Sequence, residues 1–178
     1  MKKVILYIAM SLDGYIADRN KGVSWLCGDG SNDQEEGSYN EFIKTIDTVI
    51  MGHTTYQQIT DELSSENWPY RGLTTYVIKH HQCTNKDEIV FTNEKLNNLI
   101  TRLKKTSGKK DIWICGGADI VNQLIEFDLI DKYYITLIPV ILGKGTRLFN
   151  NEHNEIKLSL IEKHSYNGMV EIRYRKRK

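Results

Sequence analysis

The residues that could do chemistry sit at the ends of short apolar runs. Ile112-Trp113-Ile114-Cys115 leads directly into Gly116-Gly117-Ala118-Asp119, and Ile120, Val121, Leu124 and Ile125 follow at helical spacing. Two glycines between a strand and a helix let a ligand approach the backbone closely. The free amides and dipole at the helix start favour a phosphate. The plainer alternative is a tight strand-to-helix turn. The pattern is neither G-x-G-x-x-G nor a phosphate loop closed by Lys-Ser/Thr. A second run, Val49-Ile50-Met51, ends in Gly52-His53-Thr54-Thr55-Tyr56. It too reads as strand, glycine, helix. His53 is either a partial cation or an ordinary loop histidine. Two such turns at neighbouring strand ends could grip two phosphates of one dinucleotide.

Lys79-His80-His81 follows a third strand, Thr74 to Ile78. A cation there could meet a further phosphate, such as the 2′-phosphate of NADPH, or simply be solvated. Two places offer carboxylates. Asp13, in Ser11–Asp18, is a turn residue bonding its own backbone or a group facing a ligand. Asp33, Glu35 and Glu36 precede a helix carrying Tyr39; they complement its dipole, or one of them orients and protonates a nitrogen heterocycle. No Ser-His-Asp or Cys-His nucleophile has supporting spacing. His153 and His164 lie in polar contexts. Cys27, Cys83 and Cys115 are odd in number and far apart, which argues against a disulfide framework or a zinc site.

These turns need elements to hold them. Val4 to Met10 is a strand buried on both faces. Asp13-Gly14 turns the chain, Tyr15 to Ala17 continues extended, and Asp18 to Gly37 reads as loop with Trp25-Leu26 as an apolar island. Tyr39, Phe42, Ile43 and Ile46 have helical spacing. Thr54 or Thr55 can cap a short helix reaching Leu63. Glu88 to Phe91 is a strand. Thr92 or Asn93 caps a helix with Leu96, Leu99, Ile100 and Leu103 on one face. Lys132 to Leu137 is a strand that Pro139 interrupts. Lys157 to Ser165 and Val170 to Tyr174 form a closing hairpin across Asn167-Gly168. The alternation predicts a single α/β domain with helices on both faces and a mixed sheet. Ligands then bind beyond the carboxyl ends of the strands, after Met10, Met51, Ile78 and Cys115.

The 178 residues are 40% hydrophobic and 26% charged, enough for a core without staples. A net charge of +1 argues against bulk nucleic-acid binding. Five of the last six residues, Arg173 to Lys178, are basic. They form a solvated final strand that guards a sheet edge, or a patch for RNA, a membrane or a phosphate. No apolar run approaches the ~20 residues of a membrane span, and no cleavable signal pattern appears, so a cytoplasmic protein is expected.

Four segments in register resemble the dihydrofolate-reductase-like superfamily, and more closely its RibD C-terminal reductase branch of riboflavin biosynthesis. They are SLDGYIAD (Ser11–Asp18), VIMGHTTY (Val49–Tyr56), WICGGADIV (Trp113–Val121) and ITLIPVILGKGTRLF (Ile135–Phe149). The resemblance implies a three-layer α/β/α fold, with a mixed, mostly parallel eight-stranded sheet that binds NADPH at its carboxyl edge. It implies that Ala9 lies beside the nicotinamide and that Trp25 closes near it. Gly52, His53, Thr54 and Thr55 would hold phosphates and the adenosine side, with Lys79 at the ribose and its 2′-phosphate. Gly116, Gly117, Ala118, Asp119 and Ile120 would cradle the pyrophosphate. Thr136 matches a threonine near the pterin, and Glu36 falls where folate reductases carry their acid. Tyr39 and Cys115 join Thr136 on the substrate side.

Two departures bear on the substrate. Many folate reductases carry Arg where His53 stands. Riboflavin reductases usually carry Glu, which reads substrate, where Cys115 stands. The expected activity is hydride transfer to a C=N or C=C bond of a small nitrogen compound, 5-amino-6-(5-phosphoribosylamino)uracil-like, with Glu36, Asp13 or a water supplying the proton. The alternatives are reduction of dihydrofolate, or a non-catalytic nucleotide-binding domain that kept the fold. The apolar segment Tyr133 to Phe149, with its Gly143-Lys144-Gly145 tip, is expected to help build a homodimer.

Overall fold

The computed structural model describes residues 1–32, 37–79, 84–150 and 153–177. In chain order the elements are β1 (Val4–Ser11), β2 (Tyr15–Asp18), α1 (Tyr39–Lys44), β3 (Ile46–Gly52), α2 (His53–Gln58), β4 (Thr74–Ile78) and β5 (Ile89–Thr92). There follow α3 (Leu96–Lys104), β6 (Asp111–Gly116), α4 (Ala118–Glu126), β7 (Lys132–Ile138), β8 (Gly145–Arg147), β9 (Leu158–Tyr166) and β10 (Met169–Lys176). An eight-stranded sheet has the order β5-β4-β3-β6-β1-β7-β10-β9. The pairs from β5 to β7 are parallel, and β10 runs antiparallel to both neighbours. Beside it β2 pairs with β8.

The apolar runs form central strands because both faces of the sheet are covered. On one face the Leu96, Leu99, Ile100 and Leu103 stripe of α3 and the Ile120, Val121, Leu124 and Ile125 stripe of α4 pack on Val4, Leu6, Ile50, Ile112 and Ile114. On the other, Phe42 of α1 and Ile59 beyond α2 pack on Ile5, Val49, Met51, Val77 and Trp113. This is the expected three-layer architecture. Among the described residues no helix is long and apolar enough to cross a membrane.

Several local expectations are corrected. Ile46 opens β3 instead of closing a helix, because α1 stops at Thr45, whose hydroxyl turns back to Phe42 O at 2.7 Å. The N-cap of α2 is Gly52, not a threonine, and α2 passes at Ile59 into a π-helical turn ending at Leu63. Neither Thr92 nor Asn93 caps α3. Its N-cap is Lys95, and Thr92 Oγ1 accepts the Glu94 amide one turn earlier. The basic tail is β10, second from the sheet edge, so the edge strand is β9. Arg173 is bonded to Glu162 and Glu171, and Lys176 to Asp128. The closing turn is as expected: Asn167 and Gly168 both have positive φ, 44° and 72°, as a two-residue hairpin requires. The segment after Pro139 folds onto its own chain, with Leu148 fully buried and β8 paired to β2, while Ile141 stays exposed.

Candidate functional site

The sheet order makes one crevice. From β3 the chain goes on to β4 on one side, and from β6 it crosses to β7 on the other, with β3 and β6 adjacent. Diverging connections leave a gap at the carboxyl ends of such a pair. Both glycine turns lie in it. Met51 is in register with Gly116. A side-chain β-carbon on Gly52 would lie 3.4 Å from Ile120 Cγ1 and 4.0 Å from the Gly117 amide nitrogen, and one on Gly117 would lie 3.4 Å from Thr55 Oγ1. The strand-end glycines therefore face each other at close range, where bulky side chains would not fit. Gly116 has a φ of +126°, open to glycine alone, and the Gly116–Gly117 peptide is cis.

Neither α2 nor α4 begins with a side-chain cap. Their first-turn amides are left to solvent or a ligand. Asp119 is exposed, with its carboxylate turned along α4 to Gln123 at 2.8 Å. Ala118 and Ile120 flank it, and Asn122 ties α4 to Leu148 O at 2.9 Å. His53 starts α2, Thr55 is half-buried and Thr54 is exposed. Burial first, and then the charge of Lys79, hold the His53 imidazole below its ordinary pKa. Lys79 thus stands within electrostatic reach of α2, at the end of β4. His80 and His81 lie outside the described residues.

On the α1 side of the sheet the floor is aromatic. Trp113 meets Tyr70 at 5.0 Å, Phe42 at 5.6 Å and Tyr39 at 6.0 Å between ring centres. Cys115 lies beyond it, 3.7 Å from Tyr70 Oη. Burial pushes the Cys115 thiol up to about 11, so it stays protonated and is no nucleophile at neutral pH. Burial also raises the Tyr39 and Tyr70 hydroxyls.

Ala9, Thr136 and Glu171 stand opposite one another on β1, β7 and β10, which places their side chains in one row on the α1 side. Thr136 shares a hydroxyl hydrogen bond with Tyr166, and Glu171 accepts from Tyr7 Oη at 3.1 Å and Ser38 Oγ at 2.6 Å. Glu171, Ser38, Tyr7, Tyr70 and Tyr166 are the residues that sequence reasoning missed. The alternation Val170-Glu171-Ile172-Arg173-Tyr174 points Glu171 to solvent if one face of the hairpin is wet. In the folded chain Tyr174 packs into the core on the α3–α4 side, which leaves Glu171 and Arg173 facing α1.

Asp13 is occupied by the fold. Its carboxylate accepts from Ser11 Oγ at 2.6 Å, the Gly143 amide at 2.7 Å and the Leu142 amide at 3.1 Å. The Ser11 bond above all, helped by the two amides, lowers its pKa to about 2. A carboxyl held there is ionised at neutral pH, and its oxygens are engaged by the turn. Asp33, Glu35 and Glu36 lie outside the described residues. Trp25 donates from Nε1 to Gly22 O at 3.1 Å, and its loop is tied to α2 by Gln58 Nε2 on Lys21 O at 2.9 Å. The next segment lies on the β9–β10 turn, where the Asp29 amide meets Asn167 O at 3.1 Å.

The sequence model of the RibD C-terminal domain matches residues 2–171. The chain belongs to the RibD C-terminal domain family. It is 38% identical, over 97% of both chains, to the uncharacterised protein YwjB of Bacillus subtilis (strain 168). A solved protein of Shewanella sp. PV-4 assigned to riboflavin biosynthesis superposes with a TM-score of 0.84 at 25% identity, covering 99% of each chain. Dihydrofolate reductase of Enterococcus faecalis, solved with NADP(H), superposes with a TM-score of 0.64 at 14% identity, covering 99% of this chain and 97% of that one. The RibD C-terminal domain is thus built here on a dihydrofolate-reductase-like sheet.

Proposed function

We propose that this RibD C-terminal domain protein is an NADPH-dependent reductase of a small nitrogen-containing substrate, 5-amino-6-(5-phosphoribosylamino)uracil or a close analogue. The observation that carries the reading is the pair of facing glycine turns. Gly52 and Gly117 approach to within a side-chain β-carbon's reach, and both helix starts behind them lack side-chain caps. A pyrophosphate fits that cradle, since uncapped amides and two helix N-termini offer donors to an anion. Gly116, Gly117, Ala118, Asp119 and Ile120 would hold it from one side, and Gly52, His53, Thr54 and Thr55 from the other. Lys79 would meet the 2′-phosphate. Ala9 and Trp25 would bracket the nicotinamide end.

When bound, the cofactor supplies the hydride. The chain supplies position and a dry floor. Tyr39, Trp113 and Cys115 line the substrate side without a charge, and Thr136 offers a hydroxyl. Asp13 is reserved for the turn, so the proton comes from Glu36 or a water. The neutral Cys115 removes the charged reader that riboflavin reductases usually place there, which favours testing dihydrofolate beside the aminopyrimidine. The exposed Leu12 and Ile141, on neighbouring loops joined by the Leu12 amide on Val140 O, support the expected homodimer.

The test is titration of the purified protein with NADPH and with NADH, followed by NADPH oxidation with each substrate. Saturable, preferential NADPH binding is expected. Failure to bind either nucleotide would sink the reading. Tight binding without turnover would select the non-catalytic alternative.

A further inference from the structure

Glu171 has no part in the reading above, yet it is only 1% exposed. Among the described residues it is the only acidic side chain that is buried. Removing a carboxylate from water is costly unless it is paired and hydrogen-bonded. Here it is both paired and hydrogen-bonded. Ser38 Oγ lies 2.6 Å from both carboxylate oxygens, Tyr7 Oη donates at 3.1 Å, and Arg173 Nε donates at 2.7 Å. Arg173 is itself fixed by Glu162 at 3.0 Å and by the face of Tyr134 at 4.9 Å.

The helix that these bonds reach cannot hold itself. α1 has six residues, too few for a stable isolated helix, and the Ser38 side chain makes no capping bond to it. Its Ser38 hydroxyl is spent on the sheet instead. The N-terminal half of α1 is held to the sheet by aromatic packing and by one polar link. Phe42 is buried against Tyr7, with ring centres 4.3 Å apart, and Ser38 is bound to Glu171. Tyr39 lies between them in sequence and meets Trp113. Outside the Ser38–Glu171 contact a cavity of about 280 Å³ is bordered by Gly37, Lys163 and His164, so solvent reaches its outer wall.

We propose that Glu171 is a positioning residue: through Ser38 and Tyr7 it latches the N-terminal end of α1 to the sheet and so sets the gap between Tyr39 and the Ala9–Thr136 row. That this gap takes the substrate rests on the reductase reading; the latch itself does not. A glutamine cannot replace the carboxylate, because its amide nitrogen only donates and one of the three incoming hydrogens loses its acceptor. With solvent already at the outer wall, a broken latch opens α1 locally and leaves the sheet intact.

Hydrogen exchange separates these roles. Glu171→Gln, Ser38→Ala and the double variant would be compared with the wild type, together with NADPH affinity and NADPH oxidation using 5-amino-6-(5-phosphoribosylamino)uracil as the probe. Exchange over residues 38–44 is expected to rise by about tenfold or more in each single variant, the worth of one charge-assisted hydrogen bond. The double variant should exchange no faster than Glu171→Gln, since both substitutions break one link. NADPH affinity should stay within about twofold, while KM for the probe rises by about tenfold and kcat falls less. Unchanged exchange in α1, additive effects, or faster exchange spread over β3 and β6 would overturn the latch. If wild-type protein oxidises NADPH with neither the probe nor dihydrofolate, the reductase reading fails while the exchange pattern still decides the latch. Ser38→Ala, at a partly exposed residue, carries the test alone if Glu171→Gln does not fold.

Discussion

The two sides of the candidate site are built by different means. The crevice between β3 and β6 is backbone: two glycine turns and two helix starts without side-chain caps. The α1 side is side chains reaching across the sheet, from Glu171 to Ser38 and Tyr7, from Thr136 to Tyr166, and from Trp113 to Tyr39 and Tyr70. The backbone half presents generic donors suited to a phosphate, whatever the substrate. The side-chain half can change its chemistry residue by residue while the fold stays fixed. A cofactor common to a family and a substrate that varies within it would each be served by such a division.

The largest effect should come from breaking the backbone half. Gly116→Ala places a β-carbon on a residue with φ of +126°. That conformation costs a non-glycine residue about 1–3 kcal/mol, and relaxing it moves the cradle. NADPH binding should be abolished at micromolar protein, with a clear fall in Tm. Gly117→Ala sharpens the test. Its β-carbon meets Thr55 Oγ1 at an ordinary 3.4 Å, so the empty fold should lose no more than about 1–2 °C in Tm. The added methyl nevertheless projects between the two turns, and NADPH affinity should fall by about tenfold or more, or 1.4 kcal/mol. Calorimetry with and without NADPH measures both. Unaltered affinity in Gly117→Ala would mean that no ligand lies between the turns.

This division also explains what could be seen in the sequence. Strand, glycine, helix is a local pattern, so both turns and nearly all strands of the main sheet are legible as apolar runs. Asn167-Gly168 is likewise a local turn signal. The α1 side depends on which distant residues share a face. Glu171 is a lone acid in an alternating strand, and only the order β7-β10-β9, with α1 above it, turns it inward. The threonine caps failed for a related reason. Thr55 faces Gly117, and Thr92 serves an earlier turn, so tertiary contact overrode a local preference. The short β2–β8 pair is invisible because three exposed residues, Gly145 to Arg147, carry no apolar pattern.

A second break concerns the loop that spans both halves. A β-carbon on Gly28 would lie 2.2 Å from Asn167 O, a backbone atom that cannot step aside cheaply. Gly28→Ala should lift the segment off the hairpin turn and release the bond from the Asp29 amide to Asn167 O. The sheet keeps its core, so the loss should be local, about 1–2 kcal/mol in opening free energy. Limited proteolysis should then cut near residues 26–32 about tenfold faster, with Tm little changed. A cut rate equal to the wild type would show that the loop is held elsewhere, at Gln58 and Lys21.

A smaller effect separates the halves by charge. Burial and Lys79 keep His53 below its ordinary pKa, so it is neutral at pH 7 in the free protein. A phosphate beside it favours the imidazolium and raises that pKa. Binding then takes up a proton, and NADPH affinity should increase by about threefold to tenfold as pH falls from 8 to 5.5. His53→Ala should flatten the slope. An equal slope in the variant would remove His53 from the phosphate contacts and leave the backbone amides to act alone.

The smallest effect belongs to Asp13, where β1 leaves the sheet between the two halves. Ser11 first, then the Gly143 and Leu142 amides, hold its carboxyl at about 2 against an ordinary 3.8. Because the folded value is the lower one, the stabilisation is complete above the ordinary value and vanishes as pH falls through about 2. Asp13→Asn keeps the shape and one acceptor oxygen but gives up the charge. Its stability should therefore run parallel to, and slightly below, that of the wild type from pH 8 to 5. The two curves should converge between about pH 4 and 2, read by urea midpoints across that range. Asp13 is bonded to Ser11, Leu142 and Gly143 and not to the glycine turns, so NADPH affinity at pH 7 should change less than in Gly117→Ala. A variant that stays fully stable at neutral pH but loses turnover alone would return Asp13 to the chemistry, and would mean that the turn and the site share one carboxylate.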